Sequence, residues 1–287
     1  MNDVTLRRMT EDDLPAADRL REIAGWNQRL DDWRLFVALE PDGCFVAVRG
    51  AEVIGTVTTT TYDRALAWIG MMLVHPDHRG RGIGTSLMRR ALEYLEGRGV
   101  TCIRLDATPA GRPVYEKLGF VAEWSLTRHE RPLAVEPVFR VTSPVAVRDL
   151  IDSDWGRAGE IDTRCFGVPR ERLLRKLRER CRRALICESD GQVVGWGLLR
   201  PGMKADYLGP LECTTTHVLV PLAAALLRHA EKRTVFWDVP DDNAVAVAAA
   251  QRLGFHPVRP LTRMRLGSNV VASDPRALHG IADPALG

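Results

Sequence analysis

A chain of 287 residues, 45% of them hydrophobic, is long enough for one large domain or two ordinary ones. A formal net charge of +3 with 27% charged residues is milder than the concentrated positive charge of a nucleic-acid binder. No apolar run reaches membrane-spanning length, the opening MNDVTLRRMTEDD does not read as a signal peptide, and Cys44, Cys102, Cys165, Cys181, Cys187 and Cys213 form no C-x-x-C pair. Buried thiols in a reducing cytoplasm are expected, with no disulfide, metal or membrane anchor.

In chain order, Thr10 or Asp12 can cap a first helix that carries Leu14, Ala17 and Leu20 on one face. Gly25 breaks that pattern, and Trp26, Asn27, Gln28, Asp32 and Trp33 follow it. FVAVRGAEVIGTV reads as a hairpin and LAWIGMMLV as a buried strand. A loop with Arg79-Gly80-Arg81-Gly82 leads to a helix starting near Thr85. Its apolar stripe is Leu87, Met88, Ala91, Leu92 and Leu95, and Gly97-Arg98-Gly99 ends it. VTCIRLDA is the next strand, VYEKLG a short helix stopped by Gly119, and FVAEWSLTRHE a last strand.

The pattern then repeats. Gly55 and Gly195 stand 140 apart in matching hairpins, Leu6 and Val147 stand 141 apart, and Phe120 and Phe255 stand 135 apart, as do Thr127 and Thr262. Three places in near register indicate a duplicated domain, not a solenoid. The α/β (α+β mixed) units are set at residues 1–135 and 136–268, with a tail at 269–287; the boundary falls among Pro132, Pro137 and Pro144.

A strand, a glycine loop and then a helix make an anion site. The first helical amides lack internal partners, and glycine lets phosphate oxygens approach. No G-K-[ST] follows the glycines, and from Gly80 or Gly82 the sixth position is Thr85 or Leu87, so neither common nucleotide fingerprint fits. RGRG without interleaved aromatics is also a poor nucleic-acid site.

The spacing R-x-x-G-x-G at Arg79, Gly82 and Gly84, preceded by Val74-His75-Pro76 and followed by Tyr115 to Phe120 as Y-x-x-x-G-F, resembles the GNAT acetyltransferases. The resemblance covers Val4 to about Arg131. It implies tandem GNAT folds, each a twisted mixed sheet flanked by helices, and acetyl-CoA as cosubstrate without a metal. It further implies direct attack of an amine on the thioester. By that resemblance Met72, Leu73 and Val74 would hold the pantetheine and thioester through their backbone. Gly80, Arg81, Gly82, Ile83, Gly84, Thr85 and Ser86, with Arg79, would hold the pyrophosphate. Tyr115 would protonate the leaving thiolate. LAWIGMMLV carries no carboxylate to serve as base, which leaves His75 and Asp106 as candidates.

The second copy has Ala250 where Tyr115 stands, keeps Asn243, and reads LGPLECTTTHVLVPLAAALLRHA where the loop belongs, with Pro221 opening the helix. It is expected to have lost catalysis and to help wall the first copy's pocket. Trp26 and Asn27 are candidate contacts for a small polar amine, although Trp26 and Trp33 could equally be core anchors. A small-molecule N-acetyltransferase is the first expectation, and a non-catalytic acyl-CoA sensor the alternative.

Overall fold

A computed structural model describes residues 3–133, 145–268, 271 and 273–287 of the chain. In the first half, β1 (Val4–Arg8), α1 (Leu14–Ala24) and α2 (Leu30–Leu39) precede β2 (Phe45–Arg49), β3 (Glu52–Tyr62) and β4 (Leu66–Val74). α3 (Ile83–Gly97), β5 (Cys102–Ala107), α4 (Arg112–Glu116) and β6 (Val121–Pro132) complete it. The second half repeats the course with β7 (Ala146–Asp149), α5 (Trp155–Phe166), α6 (Glu171–Arg178), β8 (Arg183–Ser189), β9 (Gln192–Arg200) and β10 (Asp206–Cys213). α7 (Leu219–Leu227), β11 (Thr234–Pro240), α8 (Ala244–Arg252) and β12 (His256–Gly267) follow. The stretch with Pro137 and Pro144, where the sequence places the domain boundary, lies outside the described residues.

All these strands form one sheet in the order β1-β2-β3-β4-β5-β12-β6-β11-β10-β9-β8-β7. The closing strands have changed places. β12 runs antiparallel to β5 with Arg263 opposite Asp106, and β6 runs antiparallel to β11 with Arg128 opposite Asp238. At the seam the two exchanged strands pair with each other, Leu126 opposite Leu261. Each copy therefore completes the sheet of the other, and the duplicated α/β units are joined through their ladders and not only through side chains.

One face of the sheet carries α3 and α4 over the first half and α7 and α8 over the second, each with its own core. On the opposite face a single core joins both halves: Leu14, Trp33 and Phe36 of the first helices, Trp155, Phe166 and Leu174 of α5 and α6, and Leu278 and Leu286. Trp33 is thus a core anchor, fully buried. Residues 273–287, part of the tail set apart in the sequence, run along this shared face. Side chains from both halves donate to their backbone: Tyr62 to Leu286 (2.6 Å), Trp68 to Pro284 (3.0 Å), Trp237 to His279 (3.0 Å) and Arg170 to Gly287 (2.7 Å). Five of the six cysteines are buried and Cys181 is half-buried, all as free thiols. Among the described residues no helix is long and apolar enough to cross a membrane, and no metal-ligating cluster occurs.

Candidate active site

The cleft of the first half begins where two parallel strands part. β4 and β5 pair only at Ala67–Ile103 and Trp68–Arg104. On its other side β4 carries a bulge: Thr56 faces Leu73 and Thr58 faces Gly70, which leaves Met71 and Met72 against Val57. Met71 takes a positive φ of 47°, an unfavourable angle for a side-chain-bearing residue, and the Thr56 hydroxyl donates to its carbonyl at 2.7 Å. The bulge takes this stretch of backbone off the β3 ladder and bends β4 away from β5. The resulting cleft has a volume of about 570 Å³ and is lined by Ile69 to Val74 on one side and Leu105 and Asp106 on the other.

The glycine–arginine loop closes one end of it. Gly80 and Gly82 have φ of 73° and 79°, and a Cβ at either would meet no atom within 4 Å. Their glycines are demanded by backbone angle, and the space beside them is open for a ligand. Gly82 caps α3, which starts at Ile83, two residues before the sequence placed it. The Ser86 amide is the first to find a helical-type acceptor, the Gly82 carbonyl at 3.0 Å, so the amides of Ile83, Gly84 and Thr85 have no partner among the described residues. Arg79 Nε donates to the Val74 carbonyl at 3.0 Å and pins the loop to the end of β4. Arg79, Gly80, Gly82, Ile83, Gly84 and Thr85 line the cleft; Arg81 and Ser86 are exposed beside it, the Ser86 hydroxyl donating to Gly82 at 3.2 Å. Free amides, a helix N-terminus and a guanidinium suit a diphosphate.

Tyr115, on α4, lines the same cleft. Its ring meets Phe120 edge-on at 6.1 Å, which is how the Y-x-x-x-G-F spacing fixes it. Its hydroxyl has no hydrogen-bond partner among the described residues, and burial pushes its pKa up to about 12. It stays protonated at any working pH and is free to donate. Of the two base candidates, Asp106 lines the cleft, whereas His75 sits outside it with Nδ1 accepting from the Asp77 amide at 3.3 Å. Asp106 is held bidentate by Arg263 at 2.8 and 2.9 Å, yet burial lifts its pKa above the usual carboxylate range.

Trp26 is at the cleft, half-buried. Asn27 is not: its side chain faces the second half, donating to the Ala205 carbonyl (2.9 Å) and accepting from the amides of Lys204 (2.9 Å) and Ala205 (3.0 Å). This amide staples the halves together, with three of its four hydrogen-bonding positions spent on the backbone of residues 204 and 205. The next residue, Gln28, is the one that reaches the cleft, donating to Asp283 at 2.9 Å. Asp32 serves α2 as a cap, accepting from the Arg29 amide at 2.7 Å. The remaining wall comes from residues that the sequence did not single out. Arg128 of β6, Arg259 and Leu261 of β12, and Pro284 and Ala285 of the closing segment all line the cleft.

The equivalent splay in the second half is filled. β10 and β11 pair only at Asp206–Val235 and Tyr207–Phe236 and then separate. The closing segment lies between them: the Leu211 amide of β10 donates to Gly280 (3.1 Å), and the Ile281 amide donates to Asp238 of β11 (3.2 Å). Asn243 caps α8 through the Ala246 amide (2.9 Å) and donates to the carbonyls of Arg276 (2.9 Å) and Leu278 (2.8 Å), holding that segment in place.

Residues 6–120 match the acetyltransferase (GNAT) family, and residues 159–280 match a second acetyltransferase (GNAT) domain. The chain is 25% identical over 248 residues to a holothin acyltransferase of Pseudoalteromonas sp. (strain SANK 73390), covering 84% of this chain and 81% of that protein. Its fold matches a putative acetyltransferase from Pyrococcus horikoshii with a TM-score of 0.83 at 27% identity, over 100% of this chain and 97% of the other. A tandem GNAT protein from the clavulanic acid biosynthesis pathway shares the fold with a TM-score of 0.69 at 19% identity, over 95% and 100% of the two chains.

Proposed function

Because the chain belongs to the GNAT acetyltransferase family, we propose that its first half binds acetyl-CoA in the β4–β5 cleft and passes the acetyl group to the amine of a small molecule. The observation that carries this reading is the loop of unpartnered amides at the mouth of a cleft whose backbone wall has been freed by the Met71 bulge. The amides of Ile83 to Thr85 and Arg79 would take the pyrophosphate. Met72, Leu73 and Val74 would hold the pantetheine arm through their backbone. Trp26 and Gln28 would face the acceptor.

In the transfer the amine nitrogen forms the new N–C bond, the C–S bond breaks, the nitrogen gives up one proton and the thiolate takes one. Tyr115 supplies the thiolate's proton from a hydroxyl that nothing else in the cleft claims. Neither base candidate offers itself to the amine, His75 lying outside the cleft and the Asp106 carboxylate being fully buried against Arg263, so the amine's proton passes to solvent. The second half and the closing segment shut the acceptor side with Arg259, Leu261, Pro284 and Ala285, which favours a compact acceptor over a polypeptide. Free thiols throughout fit a reducing compartment such as the cytoplasm.

Calorimetric titration with acetyl-CoA, followed by thiol release with a panel of amines, tests the reading. One site per chain, weakened at least tenfold in an Arg79→Gln variant, together with turnover of an amine, is expected. Two sites would contradict the filled second cleft. Binding without turnover of any amine would replace the enzyme by a sensor of acyl-CoA.

A further inference from the structure

The repeat lets the two halves be compared at one position of the seam. Arg263 and Arg128 are 135 residues apart and play the same part, each closing on the aspartate of the neighbouring strand, Asp106 and Asp238. Their cross-strand partners on the exchanged strands are Trp124 and Arg259, also 135 apart. Arg263 is stacked between Trp68 and Trp124, with its guanidinium carbon 4.4 and 4.2 Å from the ring centres. That arrangement stabilises a buried cation twice over. In the other half the corresponding place holds a second guanidinium directly opposite the first, an arrangement that destabilises a sheet.

Asp238 and Asp283 are near enough to attract it, but the oxygens of both carboxylates are already taken by other donors. Asp238 is bound bidentate by Arg128 at 2.7 and 2.8 Å and also accepts from the Tyr207 hydroxyl at 2.9 Å. Asp283 accepts from Gln28 at 2.9 Å and from the Ala285 amide at 2.8 Å. Arg259 forms no ion pair among the described residues, and its buried Nε has no hydrogen-bond partner. Burial first and then Arg128 pull its pKa below the usual value, and the attraction of Asp238 and Asp283 does not offset them. Yet Arg259 lines the cleft.

The side of the sheet on which it lies is informative. Along β12, Met264 and Leu266 join the core under α3, whereas Leu261 packs on Ile281 and Arg263 on Trp68, on the face of the closing segment. Arg259 shares the alternation of Leu261 and Arg263. It is therefore across the sheet from the loop helix, on the acceptor side.

We propose that the acceptor amine carries an oxyanion, a carboxylate or a phosphate monoester, and that Arg259 pairs with it across the cleft. This rests on the acetyl-transfer reading above. A planar fork of donors already stripped of part of its water suits such a group, and binding it would relieve the repulsion from Arg128.

The test uses matched amines: ethanolamine against phosphoethanolamine, glucosamine against glucosamine 6-phosphate, and phenethylamine against phenylalanine. In at least one pair kcat/KM should be tenfold or more higher for the anionic member. Arg259→Gln should bring that ratio close to one, and Arg259→Lys should retain part of it. Ratios near one in the wild type, or a ratio that survives R259Q, would overturn the proposal. So would a loss of acetyl-CoA affinity in R259Q with the acceptor ratio intact, because Arg259 would then serve the donor. If no amine turns over, thermal shift in the presence of CoA decides. Stabilisation by the anionic members alone, absent in R259Q, keeps the oxyanion site and rejects acetyl transfer; no such stabilisation rejects the site as well.

Discussion

Replacing Gly70 by alanine tests how tightly the closing segment is built into the acceptor wall. A Cβ on Gly70 would stand 2.7 Å from both the Cβ and the carbonyl oxygen of Ala285, and 2.8 Å from its Cα. Two of those three atoms are backbone, so no rotamer change relieves the clash. Either β4 or the segment must move, and the segment is tied on both sides of the contact, by Trp68 at Pro284 (3.0 Å) and Tyr62 at Leu286 (2.6 Å). Overpacking of this kind costs about 1–3 kcal/mol, and each loosened hydrogen bond about 1 more. Loss of unfolded-chain entropy returns about 0.4–1 kcal/mol to an alanine in place of glycine. The net expectation is a destabilisation of about 1–3 kcal/mol, or roughly 2–12 °C in Tm for a chain of this size. Urea melts of G70A, A285G and the double variant check it. The double variant should recover only part of the loss, since the Ala285 backbone remains in the way. G70A melting at the wild-type urea concentration would show that the segment does not pack on β4.

Tyr115→Phe should lower kcat by about 10²-fold or more while leaving acetyl-CoA affinity within twofold, measured by thiol release and calorimetry; equal losses in both would make the phenol a packing group. Asp238→Asn should destabilise more than Asp106→Asn: both arginines keep two aromatic rings, Arg128 those of Tyr207 and Phe236 and Arg263 its two tryptophans, but only Arg128 is left facing a second guanidinium, Arg259; thermal melts rank the pair, and the reverse order would refute this account of the seam. Asp32 has its pKa pushed by burial from the ordinary 3.8 to about 6. The native state therefore holds that proton more tightly than the unfolded chain, so this residue's contribution to stability grows as pH falls from about 6 to 4 and its ionised form is a cost above 6. Asp32→Asn keeps the acceptor for the Arg29 amide and should raise stability at pH 8 by about 2 kcal/mol, with the gain fading by pH 4; a gain independent of pH would remove the carboxylate as its cause.

What could be read from the sequence follows from how local each determinant is. The anion loop is local: two positive-φ glycines, an arginine and a helix start lie within a few residues, and the pattern needs no distant partner. Tyr115 is placed by its own turn and by Phe120. The strand exchange is invisible for the opposite reason. β6 and β12 carry the same pattern, Leu-Thr-Arg at 126–128 and at 261–263, so either would satisfy the edge of β5 or β11, and only the three-dimensional path of the connections selects one. The Met71 bulge hides in WIGMMLV because its cause is register against β3, with no glycine to mark the positive φ. Asn27 and Gln28 are adjacent amides of similar chemistry, and which one faces the cleft depends on the loop at 203–205, some 175 residues away.

The closing segment shows why the two copies diverged. It has no hydrophobic period, and its place is fixed by side chains elsewhere that donate to its carbonyls: Trp68, Tyr62, Trp237, Asn243 and Arg170. In the second half it satisfies the parted backbones of β10 and β11 with its own amide and carbonyl at Gly280 and Ile281. Any molecule entering that splay would have to displace protein backbone that is already hydrogen-bonded. A phosphate loop above it would serve no ligand, and the second copy has none. In the first half the same segment passes one strand further out, over Gly70, and leaves the β4–β5 gap open while walling its acceptor side. One stretch of chain thus closes one cleft and shapes the other, and two arginines of the seam, Arg128 and Arg259, line the cleft that stayed open.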